Sequence, residues 1–123
     1  KGWDACKDYV AEGATFNAQS EPLGEVKTVE AYVGWMAGFG TVTAPGSSYE
    51  IHASAFDEDS NTALFFATFT ATHKGEGGPI PPTNKTTNAH YCYSFKMNDE
   101  GKIVDIIKIW NAPWTMRELG WIE

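Results

Sequence analysis

His73 is the histidine of this 123-residue chain that is best placed to do chemistry. Residues 62–73 alternate as a half-buried strand does. One face of that strand is apolar until its last member: Ala63, Phe65, Ala67, Phe69, Ala71 and His73. An imidazole titrates near neutral pH, so an inward His73 could act as a general acid or base. A structural histidine, satisfied by a backbone carbonyl or a tyrosine hydroxyl, fits the same position.

Asn111 is a second polar side chain that could meet a ligand. It follows a predicted strand over residues 102–110 and precedes a short helix, so it lies where a curved strand can point into a cavity. Its amide can donate a hydrogen bond to a carbonyl or enolate oxygen but cannot take up a proton. Aromatic residues complete a candidate ligand-binding set, with core packing as their alternative role: Phe69, Tyr91, Tyr93, Trp35 and Trp110.

Other chemistries find little support in the sequence. The net charge of −7 argues against a nucleic-acid surface. Cys6 and Cys92 lie outside any metal-binding spacing, so we expect thiols, no metal site and no cofactor. His52 and His90 fall on outward strand faces, where solvent or a dimer contact would meet them. No nucleophile motif is present, and the glycine-rich stretch 75–78 carries a Glu where a phosphate would bind.

The elements that must position these residues change in type along the chain. Helical periodicity predicts helices over residues 3–12 and 25–39, and a short strand at 14–18 separates them. Alternation of period two then predicts four long strands, at 48–56, 62–73, 86–97 and 102–110. A short helix ending at Leu119-Gly120 closes the chain, and the loop 74–84 could form a lip over a cavity. This order indicates an α+β fold in one domain, residues 1–123.

Alternation also assigns the faces of the remaining strands. In 86–97 the inward set contains the tyrosines: Ala89, Tyr91, Tyr93, Phe95 and Met97. In 48–56 the inward set is Tyr49, Ile51, Ala53 and Ala55. The strand 102–110 is apolar on both faces. One face carries Ile103, Asp105, Ile107, Ile109 and Asn111, and the other carries Val104, Ile106, Lys108 and Trp110.

Three short motifs resemble the SnoaL-like polyketide cyclases. They are Pro-Pro-Thr-Asn-Lys at 81–85, Gly-Lys-Ile-Val at 101–104, and Trp110-Asn111 followed by Leu119-Gly120. That family belongs to the nuclear-transport-factor-2-like superfamily, which includes ketosteroid isomerases. The resemblance implies a cone-shaped, strongly bent antiparallel or mixed sheet with helices over its concave face and a pocket between them. It also implies that the Asn111 face is the inward one, that the first helix is shortened here, and that a homodimer packs through the sheet's outer face.

The same resemblance bears on the reaction. In the family pattern an Asp stands where this chain has Asn111, a Gly where it has Asn84, and a Gln where it has Glu118. The family's base is therefore missing from its usual position. Our leading hypothesis is an acid–base enzyme of cyclase, isomerase or lyase type that acts without a cofactor on an apolar carbonyl compound. His73 would be the acid or base, and Asn111 with a tyrosine would orient the ligand.

Two alternatives without catalysis stay open. The same pocket could belong to a binding module for an apolar, ring-containing small molecule, or the domain could be a scaffold that only dimerises. In each case we expect a small molecule or a second copy of the chain as partner, and neither nucleic acid nor membrane. We expect a cytoplasmic location, with a cleaved leader left open because the chain starts at Lys1.

Overall fold

The computed structural model describes residues 3–122, which form three α-helices and five β-strands. In chain order the elements are α1 (Trp3–Cys6), a 3₁₀ turn (Lys7–Tyr9), β1 (Val10–Ala18), α2 (Val29–Gly38), a π-helical turn (Phe39–Thr43), β2 (Ser48–Asp57), β3 (Thr62–Thr72), β4 (Thr86–Met97), β5 (Ile103–Trp110) and α3 (Ala112–Glu118). None of the helices in this described part is long and apolar enough to cross a membrane.

The strands form one mixed sheet in the order β1-β5-β4-β3-β2. β1 runs parallel to β5, and every other neighbouring pair is antiparallel. The helices pack with this sheet, and the predicted α+β fold is confirmed. The main apolar core lies where α2 meets β1 and β5, and its buried members are Val10, Ala14, Phe16, Ala18, Leu23, Val29, Tyr32 and Ile106.

The two helices predicted in the first half are wrong in their extent. α1 ends at Cys6, and the chain enters β1 at Val10, because Val10 pairs with Ile103 of β5. Pairing with a central strand outweighs the helical pattern of this stretch and lengthens β1 beyond its predicted start. α2 begins later than expected because Thr28 caps it. The Thr28 side chain accepts a hydrogen bond from the backbone N–H of Ala31 at 3.1 Å.

β3 and β4 present their predicted faces inward, but β2 does so only in its first half. A bulge between Ile51 and Ala53 shifts the register of β2 against β3. Tyr49 and Ile51 lie before the bulge and face the interior as expected. Beyond it, Ala53 pairs with Phe66 on the outer face. The predicted inward orientation of Ala53 and Ala55 is therefore wrong, because the bulge inserts one residue into the alternation.

β5 turns inward the face opposite to the one expected. Lys108 pairs with Tyr93, and Trp110 pairs with Tyr91, on the inward face of β4. Directly paired residues share a face of a sheet, so Lys108 and Trp110 face inward too. The residues wrongly expected to face inward are Asp105, Ile107, Ile109 and Asn111. Ile103 does pack against the core, because a register shift in the β4–β5 pairing lies between it and Asp105.

Glu118 fixes α3 to the start of β4. Its Oε1 accepts hydrogen bonds from Thr87 Oγ1 at 2.8 Å and from the backbone N–H of Asn88 at 2.9 Å. Desolvation raises the pKa of this carboxyl, but the hydrogen bonds outweigh it and hold the pKa below its ordinary value. With α3 held there, Thr115 Oγ1 accepts a hydrogen bond from the indole N–H of Trp110 at 2.9 Å. α3 thus fixes an inward-facing aromatic ring of β5.

Candidate functional site

Lys108 is a buried lysine on the inward face of β5. Its neighbours across the sheet are Tyr93 on β4 and Ala18 on β1. Only 8% of the residue is exposed, which is a rare environment for a lysine. The pairing of β5 on both sides leaves the side chain no route to the outer face, so its amine lies in the interior, within reach of α2.

Lys108 lines a cavity of about 480 Å³ between α2 and the sheet. The volume falls within the range of small-molecule sites, about 300–1,000 Å³. Apart from the amine and tyrosine hydroxyls, the wall is apolar, and its aromatic members from β3 and β4 are Phe65, Phe69, Tyr91, Tyr93 and Phe95. Tyr49 and Ile51 of the edge strand β2 also line the cavity and are 68% and 52% exposed. The cavity therefore opens to solvent at this edge of the sheet.

A hydrogen-bond chain joins the amine to two tyrosine hydroxyls. Lys108 Nζ donates to Tyr32 Oη at 3.3 Å, and the hydroxyls of Tyr32 and Tyr93 share a short hydrogen bond. The Tyr32 ring stacks on Phe16 with a centroid distance of 4.0 Å, which fixes the position of its hydroxyl. An amine and two hydroxyls thus meet at one place on an otherwise apolar wall.

Four aromatic rings surround the amine of Lys108. Nζ lies 4.6 Å from the ring of Trp110, 5.3 Å from Tyr91, 5.5 Å from Tyr32 and 5.8 Å from Tyr93. These distances to the ring centroids are within the roughly 6 Å reach of a cation–π interaction. No carboxylate forms an ion pair with this lysine within residues 3–122. The rings, hereafter the aromatic cage, are therefore the main support for the charged form of the amine.

The protonation states suit acid–base chemistry. Burial lowers the pKa of Lys108 to about 8, so a fraction of the amine carries a free lone pair near neutral pH. Burial raises the pKa of the Tyr32 and Tyr93 hydroxyls, so both remain protonated and can donate hydrogen bonds. The site combines a proton acceptor, which is also a nucleophile, with hydrogen-bond donors.

His73 lies outside this cavity. Its imidazole is fully buried, as the predicted inward face requires, and Nδ1 accepts a hydrogen bond from the indole N–H of Trp121 at 2.9 Å. Nε2 finds no hydrogen-bond partner in the described part of the chain and faces Gly78, where an added Cβ would lie 3.0 Å away. The ring packs beneath the loop 74–84 and does not meet Lys108. An acid–base role for His73 stays a prediction.

Asn111 caps α3 at the protein surface. Its Oδ1 accepts a hydrogen bond from the backbone N–H of Trp114 at 3.2 Å, and the residue is exposed. The strand-to-helix junction lies where the sequence predicts it, with Pro113 in the first helical turn. The expected orientation into the cavity is wrong, because Asn111 follows the outer face of β5. A ligand-orienting role stays a prediction that this geometry does not favour.

Four of the five aromatic candidates line one of two cavities, and the fifth packs over the amine. Tyr91, Tyr93 and Phe69 line the cavity beside the amine, and Trp110 packs over the amine itself. Trp35 lines a second cavity of about 700 Å³ that reaches the loop 74–84. A narrow space of about 30 Å³, bordered by residues of both walls, lies between the two cavities and has room for about one water molecule. Ligand contact by these residues stays a prediction.

Sequence reasoning missed Lys108 and Tyr32. The hairpin turn at residues 98–101 contains the signal for the face of Lys108, because counting out from the turn places Lys108 opposite Tyr91, on the tyrosine face. A register shift near the turn moves its partner to Tyr93, on the same face. Tyr32 belongs to the apolar stripe predicted for α2, but nothing in that stripe indicates a partner for its hydroxyl.

Metal-binding side chains do not converge in the described residues. Within 3–122, no group of three His, Cys, Asp or Glu side chains is arranged to hold a metal ion. Cys92 is an exposed thiol, and no disulfide joins it to Cys6, whose thiol donates to the Trp3 carbonyl at 3.7 Å.

Replacing Lys108 with methionine should stabilise the fold in a pH-dependent way. The pKa of Lys108 is about 8 when folded and 10.5 ordinarily, so the unfolded chain binds more protons between these values. The native protein should therefore gain stability as pH rises from 8 to 10.5. Lys108→Met should be more stable by about 1–3 kcal/mol at pH 7, and this advantage should shrink across that window. Chemical denaturation at a series of pH values measures it.

The control for this measurement is Lys102→Met, which removes an exposed lysine just before β5. It should leave the pH dependence of stability unchanged. If the stabilities of the two variants depend on pH in the same way, position 108 does not bury a charged amine.

Comparison with known proteins identifies the family. Residues 1–106 match the model of the family described as SnoaL-like domain. No curated protein matches the sequence at a significant level.

Solved structures share the fold. AclR, a candidate hydroxylase from Streptomyces galilaeus, has a TM-score of 0.77 at 21% identity, covering 98% of this chain and 77% of that one. A candidate SnoaL-like polyketide cyclase from Jannaschia sp. CCS1 has a TM-score of 0.78 at 14% identity, covering 98% and 79%. IdmH, a candidate polyketide cyclase from Streptomyces antibioticus, has a TM-score of 0.73 at 16% identity, covering 95% and 86%. Since the family match spans most of the sequence, the chain belongs to the SnoaL-like domain family.

Proposed function

We propose that the cavity beside Lys108 binds an apolar, ring-containing carbonyl compound and that Lys108, Tyr32 and Tyr93 perform acid–base chemistry on it. The reaction would be of cyclase, isomerase or lyase type. The observation that carries this proposal is the hydrogen-bond chain from the Lys108 amine through the Tyr32 hydroxyl to the Tyr93 hydroxyl, at the wall of an apolar cavity.

The chemistry follows from the protonation states of these groups. A ligand whose carbonyl oxygen accepts a hydrogen bond from a tyrosine hydroxyl has a more acidic C–H next to the carbonyl. The unprotonated amine of Lys108 can take up that proton, and the hydroxyls stabilise the negative charge that develops on the oxygen. The apolar walls strengthen these interactions because they exclude water. Lys108 would then supply the base that the family pattern places at the position of Asn111.

The similar proteins support the reaction class only by analogy. Two of the structures compared above are described as candidate polyketide cyclases and one as a candidate hydroxylase. A shared fold does not transfer an activity, so the proposal depends on the site itself.

Binding without reaction is the second candidate function. With a pKa of about 8, most of the Lys108 amine is protonated at pH 7. A cation held by the aromatic cage could hold the oxygen of a ligand as a fixed charge and remove no proton. Proton exchange from a bound ketone separates these two functions.

The native protein should accelerate hydrogen–deuterium exchange at the acidic ring carbon of 2-tetralone in D₂O. This ketone is apolar and contains two fused rings, and NMR follows the loss of its proton signals. Lys108→Met should lower the protein-dependent exchange rate by roughly 10²-fold or more, because it removes the base. The native rate should rise with pH and level off above about 8, as the amine loses its proton.

Lys102→Met serves as the matched control and should exchange as fast as the native protein. His73→Ala tests the role predicted from the sequence and should retain exchange, because His73 does not line this cavity. If 2-tetralone binds but exchanges no faster than in buffer, the result supports binding without catalysis. If Lys108→Met retains the native rate, Lys108 is not the base.

We also propose that the outer face of the sheet packs against a second copy of the chain. Phe66 and Ile109 lie on either side of Cys92 in one row across β3, β4 and β5, and they are 40% and 70% exposed. Leu64 and Ile107 flank Ser94 in the next row and are also exposed. A monomer would leave these side chains in water, and contiguous apolar patches of this kind commonly mark protein interfaces.

Charge introduced into this face should disrupt the dimer. Light scattering after size-exclusion chromatography should give a dimer mass for the native protein and a monomer mass for Ile109→Asp. Tyr9→Asp is the matched control, since Tyr9 is 69% exposed on the turn before β1. It should remain dimeric. A native protein that is monomeric at every concentration tested would refute this interface.

A further inference from the structure

We propose that Lys108 forms an imine with aldehydes and unhindered ketones that enter the cavity beside it. The inference rests on the proposed function, since it uses the same cavity and the same amine, but it assigns a covalent bond and a narrower ligand class. Where a bound ligand places its α-carbon (the carbon beside the carbonyl) against Nζ, the amine takes a proton from that carbon. In ligands that bring the carbonyl carbon itself against Nζ, the same lone pair attacks that carbon.

The position of the amine favours attack. Lys108 lines the cavity, and a ligand would reach it past Tyr49 and Ile51 at the edge strand. The Tyr32 hydroxyl lies 3.3 Å from Nζ, so a proton donor stands beside the carbon that the amine would attack. A desolvated lysine in an apolar pocket is a common arrangement of amine nucleophiles.

The aromatic cage suits the product as well as the amine. A protonated imine is a cation at the position of the ammonium group, and the four rings within 4.6–5.8 Å of Nζ would stabilise it in the same way. The Nζ atom has no carboxylate partner within residues 3–122, so no ion pair has to be broken when the amine reacts. Burial also limits the water that would hydrolyse the product.

The step balances without an oxidant or a reductant. The Nζ lone pair forms a bond to the carbonyl carbon while the carbonyl π electrons move to oxygen, which takes a proton from the Tyr32 hydroxyl. The nitrogen loses a proton, which restores that hydroxyl. In the carbinolamine that results, the nitrogen lone pair forms the C=N double bond while the C–O bond breaks, and the leaving oxygen takes a second proton from the Tyr32 hydroxyl and departs as water. The cation left behind is the protonated imine, and transfer of its N–H proton to Tyr32 restores the hydroxyl and gives the neutral imine.

Reductive trapping tests the imine directly. The probe is 6-methoxy-2-naphthaldehyde, an apolar aldehyde with two fused rings, and cyanoborohydride is added at pH 7.5 to reduce the C=N bond to a stable amine. Mass spectrometry of the intact protein should show one added naphthylmethyl group, and peptide mapping should place it on Lys108. At this pH an amine with the ordinary lysine pKa of about 10.4 reacts roughly a hundredfold more slowly than one with a pKa of about 8.

Three variants test whether the adduct depends on Lys108 and on the Tyr32 hydroxyl. Lys108→Met should lose the adduct, and fluorescence should show that it still binds 2-methoxynaphthalene, which has the ring system without the aldehyde. Lys102→Met should give the native yield. Tyr32→Phe retains the amine but lacks the neighbouring hydroxyl, so it should form the adduct at least tenfold more slowly while binding 2-methoxynaphthalene as tightly as before.

The outcomes separate this inference from the proposed function. An adduct on Lys108 that is lost in Lys108→Met supports the imine. Binding of the aldehyde without an adduct, or an adduct spread evenly over the lysines, overturns the imine while 2-tetralone exchange still tests the acid–base proposal. If neither naphthalene probe binds the native protein, the cavity does not take apolar ring compounds, and both proposals fall.

Discussion

The pairing register of β5 is the constraint on which the candidate site depends. β5 lies between β1 and β4, and both neighbours hold Lys108 on the inward face through Ala18 and Tyr93. A slip of one residue would carry the lysine to the outer face and bring an isoleucine into the aromatic cage. The apolar contacts of α2 with β1 and β5 resist such a slip, because Phe16, Tyr32 and Ile106 are buried together there.

The unusual energetic feature of this site is a buried amine that no carboxylate within residues 3–122 pairs with. A desolvated charge costs free energy, and here aromatic rings and one hydroxyl offset part of that cost. The remainder lowers the pKa of Lys108 to about 8, which makes its lone pair available near neutral pH. Burial of the amine therefore lowers the stability of the fold and also allows Lys108 to act as a base or a nucleophile.

The sequence predicts the elements of this fold better than the orientation of its side chains. The strand at 86–97 has the predicted bounds, and its tyrosine face points inward, because polar and apolar residues alternate cleanly there. The predicted start of α2 is wrong because the helical pattern gives Thr28 no weight as a cap. The face of β2 changes at the bulge after Ile51, which alternation alone cannot reveal.

The candidate site is harder to predict than the fold for a physical reason. β5 is apolar on both faces, because one face meets the core and the other carries exposed isoleucines such as Ile109. The resemblance to the family then directs attention to Asn111, which caps a helix at the surface. Lys108 is a charged side chain, and hydrophobic patterning assigns a charged side chain to solvent. Its burial depends on pairing with β4, which is a property of the hairpin and not of the strand alone.

The central claim is that Lys108 is a buried amine with a lowered pKa. An NMR titration of the side-chain ¹³Cε resonances of all lysines tests it without any ligand. The account predicts that one resonance titrates near pH 8 and that this resonance is absent in Lys108→Met. If no lysine resonance titrates near pH 8, the amine is hydrated and the aromatic cage does not exist in solution.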